Sequence, residues 1–168
     1  MHVDWLLTGR GPKNPAAPTT KSGVSLRQVP IMRWTDISST AETLRAQLAN
    51  AEARGYVVVP ETEDLSADAF ALEIQDDSMV DPQGSPLSLY PGDTVIIDPS
   101  LEPRAGSTVL AKDGKKALIR KVRVLAENEQ GKSERVALVP LNPDFPLKEV
   151  AGDRVIGVMA GIYRRVER

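Results

Sequence analysis

Ala71-Leu-Glu-Ile-Gln-Asp-Asp-Ser78-Met79 and, further on, Tyr90-Pro91-Gly92-Asp93-Thr94-Val95-Ile96-Ile97-Asp98-Pro99 are the stretches on which the fold turns. The first reads as a strand that delivers Ser78 at its end. The second is a tight Pro-Gly turn opening a strongly apolar strand. Outward from this pair the texture repeats as short apolar runs parted by turn residues: Val29–Trp34, Tyr56–Val59, Thr108–Ala111, Ala117–Leu125, Arg135–Leu141 and Val155–Tyr163. With Asp113-Gly114 as a hairpin signal, the pattern predicts a compact, mostly β domain. One helix interrupts it between about Thr40 and Arg54. Ser39 and Glu42 form a capping box, Ala41, Leu44, Leu48 and Ala51 recur at helical spacing, and Gly55 closes the segment.

Composition narrows the functions open to the chain. Its 168 residues suit one domain with a real core plus a tail, and 41% hydrophobic with 26% charged residues is globular usage. Lys and Arg number 21 against 23 Asp and Glu, so no global positive field draws the polypeptide to nucleic acid. Cysteine is absent and His2 is the single histidine, which excludes thiol nucleophiles, His-based triads and Cys- or His-rich metal sites. No cofactor or metal is therefore expected. No apolar run approaches the roughly 20 residues that span a bilayer, and a cytoplasmic location without membrane contact is the expectation.

Ahead of the β texture, Val3-Asp4-Trp5-Leu6-Leu7-Thr8-Gly9 reads as the last turns of a helix, and Arg10 to Ser25 carries Pro and Gly among small polar residues without an apolar period. The expected organisation is a helical remnant over 1–9, a flexible linker over 10–28 and a β-rich domain over 29–168.

Taken together, the Asp-Ser-Met block at 77–79, the Pro-Gly-Asp-Thr-Val-Ile-Ile strand, Ala117-Leu-Ile-Arg-Lys-Val122, Leu138-Val-Pro-Leu-Asn-Pro-Asp-Phe-Pro146 and Val155-Ile-Gly-Val158 resemble, in this order, LexA-like phage repressors. The resemblance runs from about Val29 to the C-terminus, and Val3–Pro12 resembles the end of a phage-repressor helix-turn-helix domain. It implies a LexA- and signal-peptidase-like β-rich domain that dimerises a prophage-type transcriptional repressor. Operator DNA would be read only by an N-terminal domain largely missing here. It also implies a Ser/Lys dyad that cuts the repressor's own linker once a RecA filament binds.

Such a dyad needs a lysine whose pKa burial has pushed well below its ordinary value of about 10.4, so that a neutral amine can take the serine proton. Ser78 matches the nucleophile. If the alignment is anchored on Asp113-Gly114, the base position falls on Arg120, which keeps its proton. Counted without gaps from Ser78, it falls on Lys121. Neighbours on a strand face opposite ways, so the registers exclude each other. The Ala-Leu-Ile run before Arg120 favours the first.

Two further departures weaken cleavage. The small pair that the resemblance places at the cut is here Ile37-Ser38, with β-branched bulk where a chain must thread a cleft, and it leads into the predicted helix. The glycine expected two residues before the nucleophile is Asp76, which tolerates a positive φ only at a cost. The expectation is a repressor domain that does not cut itself and is induced by a small antirepressor protein. The alternative is an active self-cleaving repressor; a trans-acting processing peptidase is disfavoured by the lack of an anchor. Val155, Ile156, Val158, Met159 and Ile162 on the last strand are expected to pair two copies edge to edge into a homodimer.

Overall fold

The computed structural model describes residues 25–37, 41–61 and 63–166. The expected helical remnant over 1–9 and most of the linker lie outside the described residues, as do Ser39 of the capping box and Ser38.

Among the described residues nine strands run in chain order: β1 (Leu26–Ile31), β2 (Gly55–Pro60), β3 (Phe70–Glu73), β4 (Thr94–Asp98), β5 (Thr108–Asp113), β6 (Lys116–Glu127), β7 (Ser133–Val139), β8 (Lys148–Ala151) and β9 (Val155–Tyr163). They form a single sheet ordered β2-β1-β3-β4-β9-β5-β6-β7-β8. All neighbours are antiparallel except β1 and β3. One helix, α1 (Ala41–Asn50), lies between β1 and β2. The mostly β fold with a single short helix expected from the sequence is the fold observed.

The continuous apolar run of β4 follows from its central place. Val95 and Ile97 enter one buried cluster with Phe70, Leu72, Met79 and Leu110, while Ile96 enters another with Val29, Val57 and Ala71. A strand covered on both faces has no polar alternation to show. The same holds for β5, where Leu110 belongs to the first cluster and Val109 and Ala111 pack with Val122, Val136 and Leu138. Helix α1 buries Leu44 completely and leans Leu48 and Ala51 against the first cluster.

Two expectations need correction here. Gly55 does not cap the helix; it opens β2 opposite Ile31, in ordinary van der Waals distance of that side chain. The helix ends earlier because the chain must turn back to pair with β1. Leu26, Arg27 and Gln28 extend the ladder with β2, and Arg27 donates to the Leu65 and Ser66 carbonyls. The other correction concerns β9, which is no edge strand but lies between β4 and β5, pairing with β5 over Val155–Val158 and with β4 over Val158–Tyr163. The Ile156 and Val158 side chains are buried within the protein. Gly157 allows this close fit: a Cβ there would stand 2.7 Å from Ile97 Cγ2 and 3.1 Å from the Asp98 carbonyl.

In the β5–β6 hairpin Asp113 pairs with Lys116, so the turn residues are Gly114 and Lys115. Gly114 has φ +63°, as a type II′ turn asks of its first central residue. Asp98, fully buried at the end of β4, is held by four donors: the backbone N–H and hydroxyl of Ser66 and those of Ser100. Burial alone would raise its carboxyl pKa, but these hydrogen bonds outweigh that and hold it below the usual carboxylate value. A lowered folded-state pKa contributes stability that is complete above the unfolded value of about 4 and is lost as pH falls through the folded one. Asp98→Ala should therefore cost about 2–4 kcal/mol at neutral pH, from the unpaired donors left behind. Urea titrations between pH 7 and pH 2 should show the gap between wild type and variant shrinking only below about pH 4.

Candidate functional site

Ser78 sits just beyond β3, in a loop whose ends are tied together. Ile74 exchanges hydrogen bonds with the strand-opening turn, its N–H donating to Asp93 O and its carbonyl accepting from Gly92 N–H, and Leu89 N–H donates to Met79 O. Gly92 takes φ +95° to make that turn. From the other side the Leu138–Pro146 segment braces the loop: Asn142 donates through its backbone N–H to Ser78 O and through its side-chain amide to Asp77 O. Asp93 is locked in turn by Arg164, which donates through Nε and Nη2 to its two carboxylate oxygens at 2.8 and 2.6 Å. The side-chain bond from Arg164 holds the Asp93 carboxyl below its ordinary range against the opposing effect of burial.

The buried Ser78 hydroxyl has two charged neighbours. Its proton points to Asp76, with Oγ 2.5 Å from Oδ1, and the same carboxylate oxygen accepts the Ser78 backbone N–H at 3.0 Å. Oγ in turn accepts from Arg120 Nη1 at 2.7 Å, and that nitrogen also donates to Ile119 O. Arg120 is only 5% exposed and its guanidinium lies 5.8 Å from the centre of the Phe145 ring. Burial pushes its pKa down and Asp76 opposes the shift. A guanidinium nevertheless stays protonated in a protein.

The two sequence registers are thus separated in space. Arg120 reaches Ser78. Lys121 pairs with Thr108 and Val139, its Cε lying 3.9 Å from where a Cβ on Gly106 would be, and it does not line the cleft around Ser78. That cleft, about 520 Å³, has Trp34 and Phe145 among its walls and Ile74, Met79 and Ile119 as apolar lining. Trp34 is fixed by its indole N–H, which donates to Glu73 O at 2.7 Å. Ile37 is buried in the main core cluster, which also holds Ile74 and Met79. Among the described residues no cluster of His, Asp or Glu could hold a metal ion, and no helix is long and apolar enough to cross a membrane.

Two features of the site differ from the sequence reading or escape it. Asp76 was expected to carry the conformational cost of replacing a glycine, yet no residue other than glycine among those described has a positive φ. Its carboxylate instead closes an Asx turn onto Ser78, a partnership that the Asp-x-Ser spacing alone signals. The place of Phe145 beside Arg120 has no such local sign.

In this arrangement the serine oxygen is a hydrogen-bond acceptor toward a cation that cannot take its proton. A fluorophosphonate probe should accordingly leave Ser78 unlabelled from pH 6 to pH 9, with adduct mass no higher than in Ser78→Ala. Stoichiometric labelling would contradict the geometry.

With the geometry in place, known proteins can be compared. The profile of the Peptidase S24-like family matches residues 37–160. Repressor protein C2 of Salmonella phage P22 is 39% identical over 100 residues, which make up 58% of this chain and 43% of the phage protein. The HTH-type transcriptional regulators for conjugative elements R391 of Providencia rettgeri and SXT of Vibrio cholerae are each 27% identical over 163 residues, 95% of this chain and 71% of theirs. The chain therefore spans less than half the length of the phage repressor it matches.

Proposed function

This chain belongs to the Peptidase S24-like family, and we propose that it is the regulatory and dimerising part of a prophage-type transcriptional repressor that does not cut itself. The observation that carries this reading is the 2.7 Å bond from Arg120 Nη1 to Ser78 Oγ. In a serine–lysine mechanism the group at that position must lose a proton to accept another, and a guanidinium does not. The burial of Ile37 in the core, at the pair where the resemblance puts the cut, supports the same conclusion. Release of the operator then depends on a protein antirepressor rather than on a RecA filament, with DNA contacted through the N-terminal helix-turn-helix domain.

Dimerisation raises the effective concentration of a second DNA-reading head at a paired operator without any new base contact. Of the residues expected at the interface, Ile162 is exposed, beside the exposed Tyr163 at the end of β9. These two, rather than the buried Ile156 and Val158, are proposed to meet a second copy.

Two measurements test the proposal. Purified protein held at pH 10, where a lysine base would be neutral, should keep its intact mass for days, whereas fragments split near Ile37 would restore the self-cleaving alternative. Ile162→Asp should raise the dimer dissociation constant at least tenfold in sedimentation equilibrium while leaving the thermal midpoint within a few degrees, since the side chain is surface-exposed.

A further inference from the structure

The two edges of the sheet are built differently. β8, at one end of the strand order, has four residues, and its Lys148 and Glu149 are ion-paired with Asp113 and Arg135. Shortness and charge are what keep an edge from pairing with another chain. β2, at the other end, has six residues, Gly-Tyr-Val-Val-Val-Pro, and no charge. Valine and tyrosine are among the residues that best fit a pleated ladder.

The free side of β2 follows from its pairing. Glu61 N–H donates to Ser25 O at the end of the β1–β2 ladder. By antiparallel alternation, Val57 and Val59 direct their peptide groups at β1, and Tyr56 and Val58 direct theirs away. Pro60 falls on the outward set, where its missing N–H ends the free stretch. Among the described residues no strand lies beyond β2. The side chains show the same division. Val57 and Val59 are buried with Val29, while Tyr56 and Val58 are 58% and 51% exposed. The register sets Tyr56 across from Pro30 and Val58 across from Gln28, with exposed Leu26 across from Pro60, so this face is uncharged over both strands.

We propose that β2 is a self-association edge, at which two copies of this chain pair antiparallel about a two-fold axis passing beside Val57. In that register Tyr56 exchanges hydrogen bonds with Val58 of the second copy, and the reverse, so the outward N–H and C=O groups of both residues are matched. Tyr56 also packs beside Val58 of the second copy, a favourable aromatic and β-branched cross-strand pair. The absence of charge argues for a copy as the occupant. A two-fold sets residues near its axis against themselves, so any charge there would meet its like. Pairing of β2 with the β8 edge of another copy would instead be head-to-tail and open-ended, against a short strand whose charges are already engaged.

Two six-residue edges bury less than the about 1,200 Å² of a stable interface, so the contact is weak by itself and takes effect where copies are already held close. On the reading that this chain dimerises a repressor, such closeness arises between dimers on neighbouring operators. β1, β3 and β4 separate β2 from β9, so this edge is distinct from the surface assigned to Ile162 and Tyr163.

Hydrogen exchange of the full chain, quenched and read by mass spectrometry over the Gly55–Pro60 segment, tests the pairing. The outward amides of Tyr56 and Val58 should exchange at least about tenfold more slowly at about 1 mM protein than at about 10 µM. Val58→Lys, at an exposed position, sets like charges near the axis and should abolish that dependence while leaving the thermal midpoint unchanged. Protection already complete at the lower concentration would mean that the chain covers its own edge, and equally fast exchange at both would mean that no copy binds there; either result overturns the proposal, and both are read on the unsubstituted protein. Ile162→Asp should leave the concentration dependence in place. Failure of the Ile162 interface appears in sedimentation without altering exchange at Tyr56 and Val58, so the two readings fail separately.

Discussion

The hydrogen bond between the Arg120 guanidinium and the Ser78 hydroxyl is the constraint around which the domain is arranged. A charge at this depth requires compensation, and the structure supplies it from several directions at once: the serine oxygen, the Ile119 carbonyl, the nearby Asp76 carboxylate and the Phe145 ring. The partners come from three parts of the chain. The strand end after β3 supplies Ser78 and Asp76, β6 supplies Arg120, and the segment after β7 supplies Phe145 and the Asn142 bonds that hold the serine loop. A buried ion with partners spread in this way fixes the relative placement of the elements that carry them, whatever its net contribution to stability.

On the reading proposed above, the arginine bears on what the site can do. Lysine and arginine both reach a serine from a neighbouring strand and both carry charge at neutral pH. They differ in whether burial can return a neutral base, since an ammonium gives up its proton under desolvation and a delocalised guanidinium does not. On that same reading, an arginine beside the serine keeps the architecture of a Peptidase S24-like domain while withholding a neutral base. The cleft combines this buried cation with two aromatic walls.

The sheet architecture was largely legible in the chain because most strands carry a short apolar run bounded by turn residues; β8, Lys-Glu-Val-Ala at 148–151, carries none and gave no such sign. Gly92 and Gly114 mark turns whose positive φ the sequence signals correctly, although the hairpin uses Gly114-Lys115 rather than Asp113-Gly114. The order of the strands was not legible in the same way. An apolar run near a terminus reads equally as an exposed edge or as a filled interior position, and only the pairing of β9 with both β4 and β5 distinguishes them. The β-bulges in those ladders shift its register twice, and nothing in Val155–Tyr163 announces them.

By itself the amino-acid sequence determined the residue types available: Ser78 two residues after Asp76, adjacent Arg120 and Lys121, no cysteine and a single histidine, His2. It excluded most catalytic chemistries and marked the β character, since these depend on composition and local period. Which of Arg120 and Lys121 meets Ser78 was decided only by the tertiary structure. Adjacent strand residues point in opposite directions, and which of them meets Ser78 is set by how the local β5–β6 hairpin docks against the loop after β3, a contact between residues 42 positions apart.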